Sequence, residues 1–441
     1  MKFKFEELVK ATNAQVLQKT NVSGTFSIST DSRKINTCDV YIPLKGENFD
    51  GHDFIESAVQ QGARGYFTSD KDKIIPGAKF ILYVEDTLIA YMQIALMYKK
   101  KINPITVAIT GSSGKTTTKE MMASVLAESY KIHKTALNHN NEVGQCQTIL
   151  SMPEDTEVLI LEMGMRGLGE IELLSKYSEP DIALIINTGT THIGRLGTVR
   201  NIAKAKCEIA KYLHEEGLLI AHDTELIRKI NKYKGHTLYV SLENKDLKDI
   251  KLHQNSSDFV YKNSKYTLNI EGKHNIQNAL FVINTALRLG MSAEKIAAGL
   301  AKFKPIEKRW EVSEIGGLKI INDSYNSNPE SLKAAVSTFL STQEPPRWLV
   351  LGDMKELGKK ERAYHKEIGE FLNQFDNLEL ITVGDLAKFI AASTIHKYKC
   401  FPDNKGVASF IKEHAPQGTK LLFKASRSMK FEEIIKELDK K

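Results

Sequence analysis

The stretch ITVAITGSSGKTTTKEMMASVLAES, residues 105–129, leaves the chain few paths. A short apolar run runs into a glycine–serine turn, and apolar residues then recur at helical spacing. That order predicts strand, tight loop and helix. EVLILEMG and DIALIINTG are further continuous apolar runs ending in polar loops, as expected of strands buried on both faces of a parallel sheet. From about 103 to 310 the pattern alternates strand and helix, with a polar stretch rich in Lys, Asn and Ser at about 222 to 270 that reads as edge strands and loops. The basic YKKKINPI marks its upstream boundary.

Before that boundary, residues 1–102 hold the β-like runs VYIPL and KFILYV. They also hold HDFIESAVQQGA, predicted as a helix burying Phe54, Ile55, Ala58 and Val59 and stopping at Gly62. From about 311 a second alternating set starts, with strands expected at LKIIND, RWLVLGD, LELITVGD and KLLFKAS. It reads as a smaller doubly wound domain. The fold class is α/β, and 441 residues fit three domains: 1–102, 103–310 and 311–441.

Composition narrows the function. A 41% hydrophobic and 26% charged chain is an ordinary globular protein, and the +7 net charge is scattered. Small anionic substrates suit it better than a nucleic-acid stripe, so no nucleic acid is expected. Cys38, Cys146, Cys207 and Cys400 lie far apart, against a zinc site or a disulfide framework. With no apolar leader in MKFKFEELVKATNAQ and no apolar run near ~18 residues, a cytoplasmic protein with no membrane span is expected.

In open α/β sheets the chemistry sits just past the strand ends. The turn Gly111, Ser112, Ser113, Gly114 can cradle phosphates with backbone N–H groups, Lys115 can reach terminal phosphates, and the Thr116 hydroxyl can bind Mg²⁺. The general loop has a glycine where this chain has Ile109. Glu162 ends an apolar strand, which a hard cation nearby explains better than a rim position. His192 reads equally as a metal ligand and as a hydrogen-bonded loop histidine.

Lys206 falls at helical spacing with Ile202, Ile209 and Leu213, whereas Lys204 and Lys211 point elsewhere. Such a lysine either snorkels to water or becomes a neutral amine able to take up CO₂ as a carbamate. Periodicity does not choose between them. In NDSYNSNPESLKAA, Asn328, Pro329 and Ser331 make a well-started helix, which leaves Asp323, Tyr325 and Asn326 unexplained by capping. Asp353, Lys424, Ser426 and Arg427 follow neighbouring strands, where the two cations can face a carboxylate or phosphate.

TGSSGKTTTK resembles the variant phosphate loop of the Mur ligases and their folylpolyglutamate synthase relatives, T-G-[ST]-[NS]-G-K-T, in which the first glycine is absent by rule. DSRKINTCDVYIPLKGENFDGHDFIESAVQQGA, NHNNEVGQCQTIL, LEMGMRGLGEI, NTGTTHIGRLGTVRNIAKAKCEI, GKHNIQNAL, EKRWEV, NDSYNSNPESLKAA, LGDMKELG and KASRSM follow in the family's order, so the resemblance covers essentially the whole chain. It implies an N-terminal α/β uridine-nucleotide domain, a central P-loop ATPase domain with a mostly parallel sheet and a C-terminal Rossmann-like domain that receives the acceptor.

By motif, the resemblance implies Lys115, Thr116 and Thr117 at ATP, with Thr116, Glu162, His192 and a carbamylated Lys206 around two Mg²⁺ ions. Asn278 would contact adenine, Arg309 the terminal phosphate and Asp323 the ribose. Asn138 and Asn141 would lie near the muramoyl peptide, and Ser32, Arg33, Lys45 and Gly46 near the uridine nucleotide. Tyr325, Asn326, Asn328, Lys424, Ser426 and Arg427 fall on the acceptor side. YNSNPES beside LGDMKELG implies joining of D-alanyl-D-alanine to UDP-N-acetylmuramoyl-tripeptide through an acyl phosphate, by a monomer whose third domain closes over the central one. The D-N-P-R motif typical of the relative that adds the third amino acid is absent. Cys146, Asn322 and Ala425 depart from the common proline, aspartate and glycine. The alternatives are another ligase of the family, adding a different amino acid, and a nucleotide-driven switch, which needs neither a second metal nor a third domain.

Overall fold

The computed structural model describes every residue except Cys38, Leu137, Ile306 and Lys441. The chain is α/β and divides into two compact units. One comprises Met1–Thr106, Lys131–Met163 and Leu173–Glu179; the other comprises Val107–Tyr130, Gly164–Glu172 and Pro180–Lys441.

In the first unit a five-stranded sheet runs Gln15–Lys19, Phe80–Tyr83, Gly65–Thr68, Asp39–Tyr41, Ser27–Ser29, parallel but for its first pair. Ile55 and Ala58, from the expected helix, are buried against Tyr41, Tyr66 and Ile81 of this sheet. Phe54 corrects the expectation. It closes a 3₁₀ turn, Gly51–Phe54, ahead of the helix Ile55–Gln60, and is 45% exposed. The tighter turn shifts its side chain off the face that a continuous α-helix would bury. The helix Thr87–Ile102 was not legible, since apolar residues surround it on several sides; it stops at Asn103 in the left-handed region. Val158–Glu162 pairs in parallel with Ile132–Lys134.

In the second unit Ile105–Thr110, Ile182–Ile185, Leu218–His222 and His236–Val240 pair in parallel, in that order, from Val107 onward. Helices Lys115–Leu126, Lys273–Arg288 and Ala293–Lys302 pack together. The polar stretch forms the antiparallel strands Leu247–His253, Ser256–Tyr261 and Ser264–Leu268. Lys262 and Asn263 both take positive φ in its second turn, which explains its Asn-rich composition.

The last sheet runs Glu311–Ile315, Leu318–Asn322, Lys420–Lys424, Arg347–Gly352, Glu379–Val383, Tyr398–Phe401, and all four expected strands are parallel. The two edge strands were missed because solvent-facing residues hide their apolar pattern. Among the described residues Cys146, Cys207 and Cys400 are free thiols; Cys38 lies outside them.

Candidate active site

The buried strand Ile105–Thr110 delivers the chain to Gly111, where a Cβ would stand 2.3 Å from Ile186 Cγ1. Gly114 closes the turn at φ +77, with Asn278 Oδ1 2.9 Å from where its Cβ would be. Gly111 is therefore required by space and Gly114 by its backbone angle. No side chain caps the helix Lys115–Leu126, so its first-turn N–H groups form a ready anion site. Lys115 Nζ donates to Gly111 O at 2.7 Å, and Thr116 and Thr117 follow, half-buried. Asn278, 6% exposed, lies against this turn.

Sequence reasoning missed Asn187. Its Oδ1 accepts from Ser112 N at 2.8 Å and from Ser113 N at 3.0 Å. Those two N–H groups, counted among the phosphate donors from sequence, are thus already engaged.

Lys206 sits near the end of the helix Val199–Cys207, capped by Thr198 through Asn201 N. It is 1% exposed beside fully buried Ile202 and Ile209, so the snorkelling alternative fails. Burial, aided by the Lys115 charge, holds its ammonium well below the usual lysine range. Lys204 is exposed and Lys211 pairs with Glu172. His192 adopts φ +64 before the turn Ile193–Leu196 and places Nδ1 2.7 Å from Glu356 Oε2, which holds the Glu356 carboxyl below its ordinary value.

Within the first unit, Glu162 is 4% exposed at its strand end and accepts from Asn140 Nδ2 at 3.1 Å. Asn140 was not singled out from sequence. Asn138 is exposed, and Asn141 caps the helix Glu142–Leu150 through Gly144 N. Ser32 is buried at the start of a 3₁₀ turn. Arg33 forms a two-point pair with Asp31, which lowers the Asp31 pKa to about 2. Lys45 is exposed, 3.8 Å from Asp50, and Gly46 lies under the Phe49 ring.

In the C-terminal block Arg309 stacks 3.9 Å over Tyr325. Lys424, nearly buried, pairs with Asp323 and also donates to Asn326 O at 3.2 Å. Its charge is therefore already matched. Ser426 Oγ accepts from Lys355 N at 2.8 Å, Arg427 pairs with Glu432, and Asn326 is exposed. Asp353 is 2% exposed and accepts from Leu386 N and Ala387 N, tying two loops together rather than facing a ligand. Asn328 caps its helix through Ser331 N and donates to Thr191 Oγ1 at 2.7 Å. Among the described residues no three His, Cys, Asp or Glu side chains cluster as a self-contained metal cage. Mg²⁺ bound with substrate phosphates needs only one or two carboxylates, a mode that does not require such a cage.

Models of three families match the chain: "Mur ligase family, catalytic domain" over residues 26–104, "Mur ligase middle domain" over 109–286 and "Mur ligase, glutamate ligase domain" over 308–427. The UDP-N-acetylmuramoyl-tripeptide–D-alanyl-D-alanine ligase of Bacillus subtilis is 38% identical, covering 98% of this chain and 96% of that one. A crystal structure of MurF from Acinetobacter baumannii superposes with a TM-score of 0.93 at 30% identity, covering 100% and 99% of the two chains. MurF ligase from Thermotoga maritima in complex with ADP gives 0.85 at 28% identity, covering 96% and 97%.

Proposed function

The chain belongs to the Mur ligase family, and we propose that it joins D-alanyl-D-alanine to UDP-N-acetylmuramoyl-tripeptide at the expense of ATP, giving the pentapeptide precursor of peptidoglycan. The observation that carries this reading is Lys206. Lys206 is buried within electrostatic reach of Lys115, and a nucleotide switch does not require a neutral amine there. In a ligase it supplies a carboxylate: the neutral amine adds to CO₂, an N–C bond forms, and one proton leaves to solvent.

The domain assignment we propose is 1–102 for the uridine nucleotide, 103–310 for ATP and 311–441 for the acceptor. Ser32, Arg33, Lys45 and Gly46 hold the nucleotide, and Asn138 and Asn141 the muramoyl peptide. Of Gly111 to Thr117, the residues from Gly114 onward receive the phosphates while Ser112 and Ser113 shape the turn, with Asn278 and Asp323 on the nucleoside. Thr116, His192 and the carbamate of Lys206 in the second unit, and Glu162 in the first, are each proposed as Mg²⁺ ligands; the ion would supply charge neutralisation where two anions meet. Lys115 and Arg309 stabilise the phosphoryl group as it passes to the tripeptide carboxylate. The resulting acyl phosphate takes the dipeptide amine, positioned by Tyr325, Asn326, Asn328, Lys424, Ser426 and Arg427. No helix among the described residues is long and apolar enough to cross a membrane. We propose a cytoplasmic monomer.

The test is phosphate release from ATP and Mg²⁺ in bicarbonate buffer, with the tripeptide nucleotide, with and without D-alanyl-D-alanine, and with mass spectrometry of the product. Release that needs both substrates, with a product of their condensed mass, is expected. Release indifferent to the dipeptide would overturn the assignment, and release without any carboxylate substrate would restore the switch. Labelled bicarbonate giving a carbamate resonance that is lost in Lys206→Met checks the modification.

A further inference from the structure

The phosphate loop lacks the first glycine of the general motif, and here its turn is held from outside. Asn187 lies two residues past the strand Ile182–Ile185. Its Oδ1 takes the N–H groups of Ser112 and Ser113, while Nδ2 donates to Ser113 O at 2.9 Å and Ser113 Oγ at 3.2 Å. One carboxamide therefore matches both the donor and the acceptor of the Ser113 backbone. The same segment grips the turn twice more: Thr191 Oγ1 donates to Ser112 O at 3.1 Å, and Ser112 Oγ donates to Gly189 O at 3.2 Å.

We propose that Asn187 is a positioning residue, a permanent brace that shapes residues 112–113 and leaves the phosphates to the helix start beyond Gly114. The proposal rests on the reading that this loop takes the phosphates of ATP. The alternative is a plug, in which Oδ1 keeps the place of a phosphate oxygen and yields it to nucleotide. A phosphate oxygen replaces only the accepting half of the amide. Displacement would strand Nδ2 and Ser113 O, each at the cost of a lost hydrogen bond in a part-buried site. The chemistry also explains an amide here. A carboxylate would accept the same two N–H groups but set an anion against the phosphates and an acceptor against Ser113 O.

Wild type, Asn187→Ala and Asn187→Asp are compared for ADP affinity and for the KM of each substrate. The brace predicts that Asn187→Ala raises the ADP Kd and the ATP KM about tenfold, with the KM values for tripeptide nucleotide and dipeptide within about twofold. Asn187→Asp keeps the acceptor but loses the donor to Ser113 O and adds an anion beside the phosphates, so at pH 8 it loses more ADP affinity than Asn187→Ala. Unchanged or tighter ADP binding by Asn187→Ala overturns the brace, and tighter binding identifies a plug. Hydrogen exchange at the Ser112 and Ser113 amides of the wild type tests the proposal without a variant. Protection before ADP that persists with ADP supports the brace, and protection lost on binding overturns it. Wild type that binds ADP but does not ligate would sink the ligase reading and leave the brace still measurable.

Discussion

Two buried side chains make opposite predictions about charge. Lys206 costs the fold a desolvated amine among Ile202 and Ile209. Lys206→Met keeps the volume and removes that cost, so in CO₂-free buffer it should raise the melting temperature, by the equivalent of about 1–3 kcal/mol, while abolishing ligation. A variant that melts lower would show that the amine is stabilised by a partner. His365 is neutral for a geometric reason: with no exposed surface, its Nδ1–H donates to Glu361 O at 2.7 Å and its Nε2 accepts from Met354 N at 3.0 Å, a tautomer assigned from this network. Burial lowers its pKa from 6.5. Below 6.5 the unfolded chain therefore binds the proton first, and the stability present above that pH is lost as pH falls through it. Losing the Met354 bond adds about 1–3 kcal/mol. Denaturation midpoints between pH 7.5 and pH 5 should fall more steeply for wild type than for His365→Gln, and equal slopes would refute the assignment. The apolar face that carries Lys206 was legible because Ile202, Ile209 and Leu213 recur at helical spacing, but that periodicity left snorkelling and burial equally open. Asn187 and Asn140 were not legible, since their partners lie 75 and 22 positions away and a lone asparagine in a loop carries no period.

Helix starts show how one residue serves two masters. Asn328 reads as a cap from sequence, and it caps Pro329–Thr342 through Ser331 N. Its Nδ2 also reaches Thr191 Oγ1, and Thr191 in turn holds Ser112 O of the phosphate loop. The same first turn adds Glu330, which accepts from Thr190 N at 3.1 Å and Thr190 Oγ1 at 2.9 Å. Asn328→Ala removes both functions and should lower stability by about 1–2 kcal/mol. Asn328→Asp keeps the cap and loses only the donor to Thr191, so it should cost less than about 1 kcal/mol yet weaken ADP binding as the alanine variant does. Thermal midpoints and ADP affinities of the pair measure this, and an aspartate as destabilising as alanine would assign the loss to Thr191 instead of the cap. Elements whose apolar residues are continuous, such as Arg347–Gly352 and Lys420–Lys424, were legible. The edge strand Tyr398–Phe401 was not, because exposed residues carry no signal that separates strand from loop.

At the scale of the molecule, the second unit holds a seam between residues 190–194 and residues 328–358. Besides Thr190–Glu330 and Thr191–Asn328, His192 pairs with Glu356, and Gly194 N donates to Glu356 O at 3.2 Å. At the centre of that seam two glycines meet: Gly358 has φ +63, and a Cβ there would lie 2.6 Å from Gly194 Cα. Backbone on both sides leaves no flexible side chain to yield, so even one methyl must push the loops apart. Gly358→Val should therefore unseat the LGDMKELG loop from His192 without touching the phosphate loop. ADP affinity is expected within about twofold of wild type, while turnover falls at least ~100-fold, because water enters and the acyl phosphate no longer meets the amine. The lost turnover should appear as phosphate release uncoupled from dipeptide condensation, since the cations on the phosphate loop are unmoved. If Gly358→Val instead loses ADP binding and turnover together, the seam is part of nucleotide binding itself; if it loses neither, the docked arrangement is not the one in which the amide bond forms.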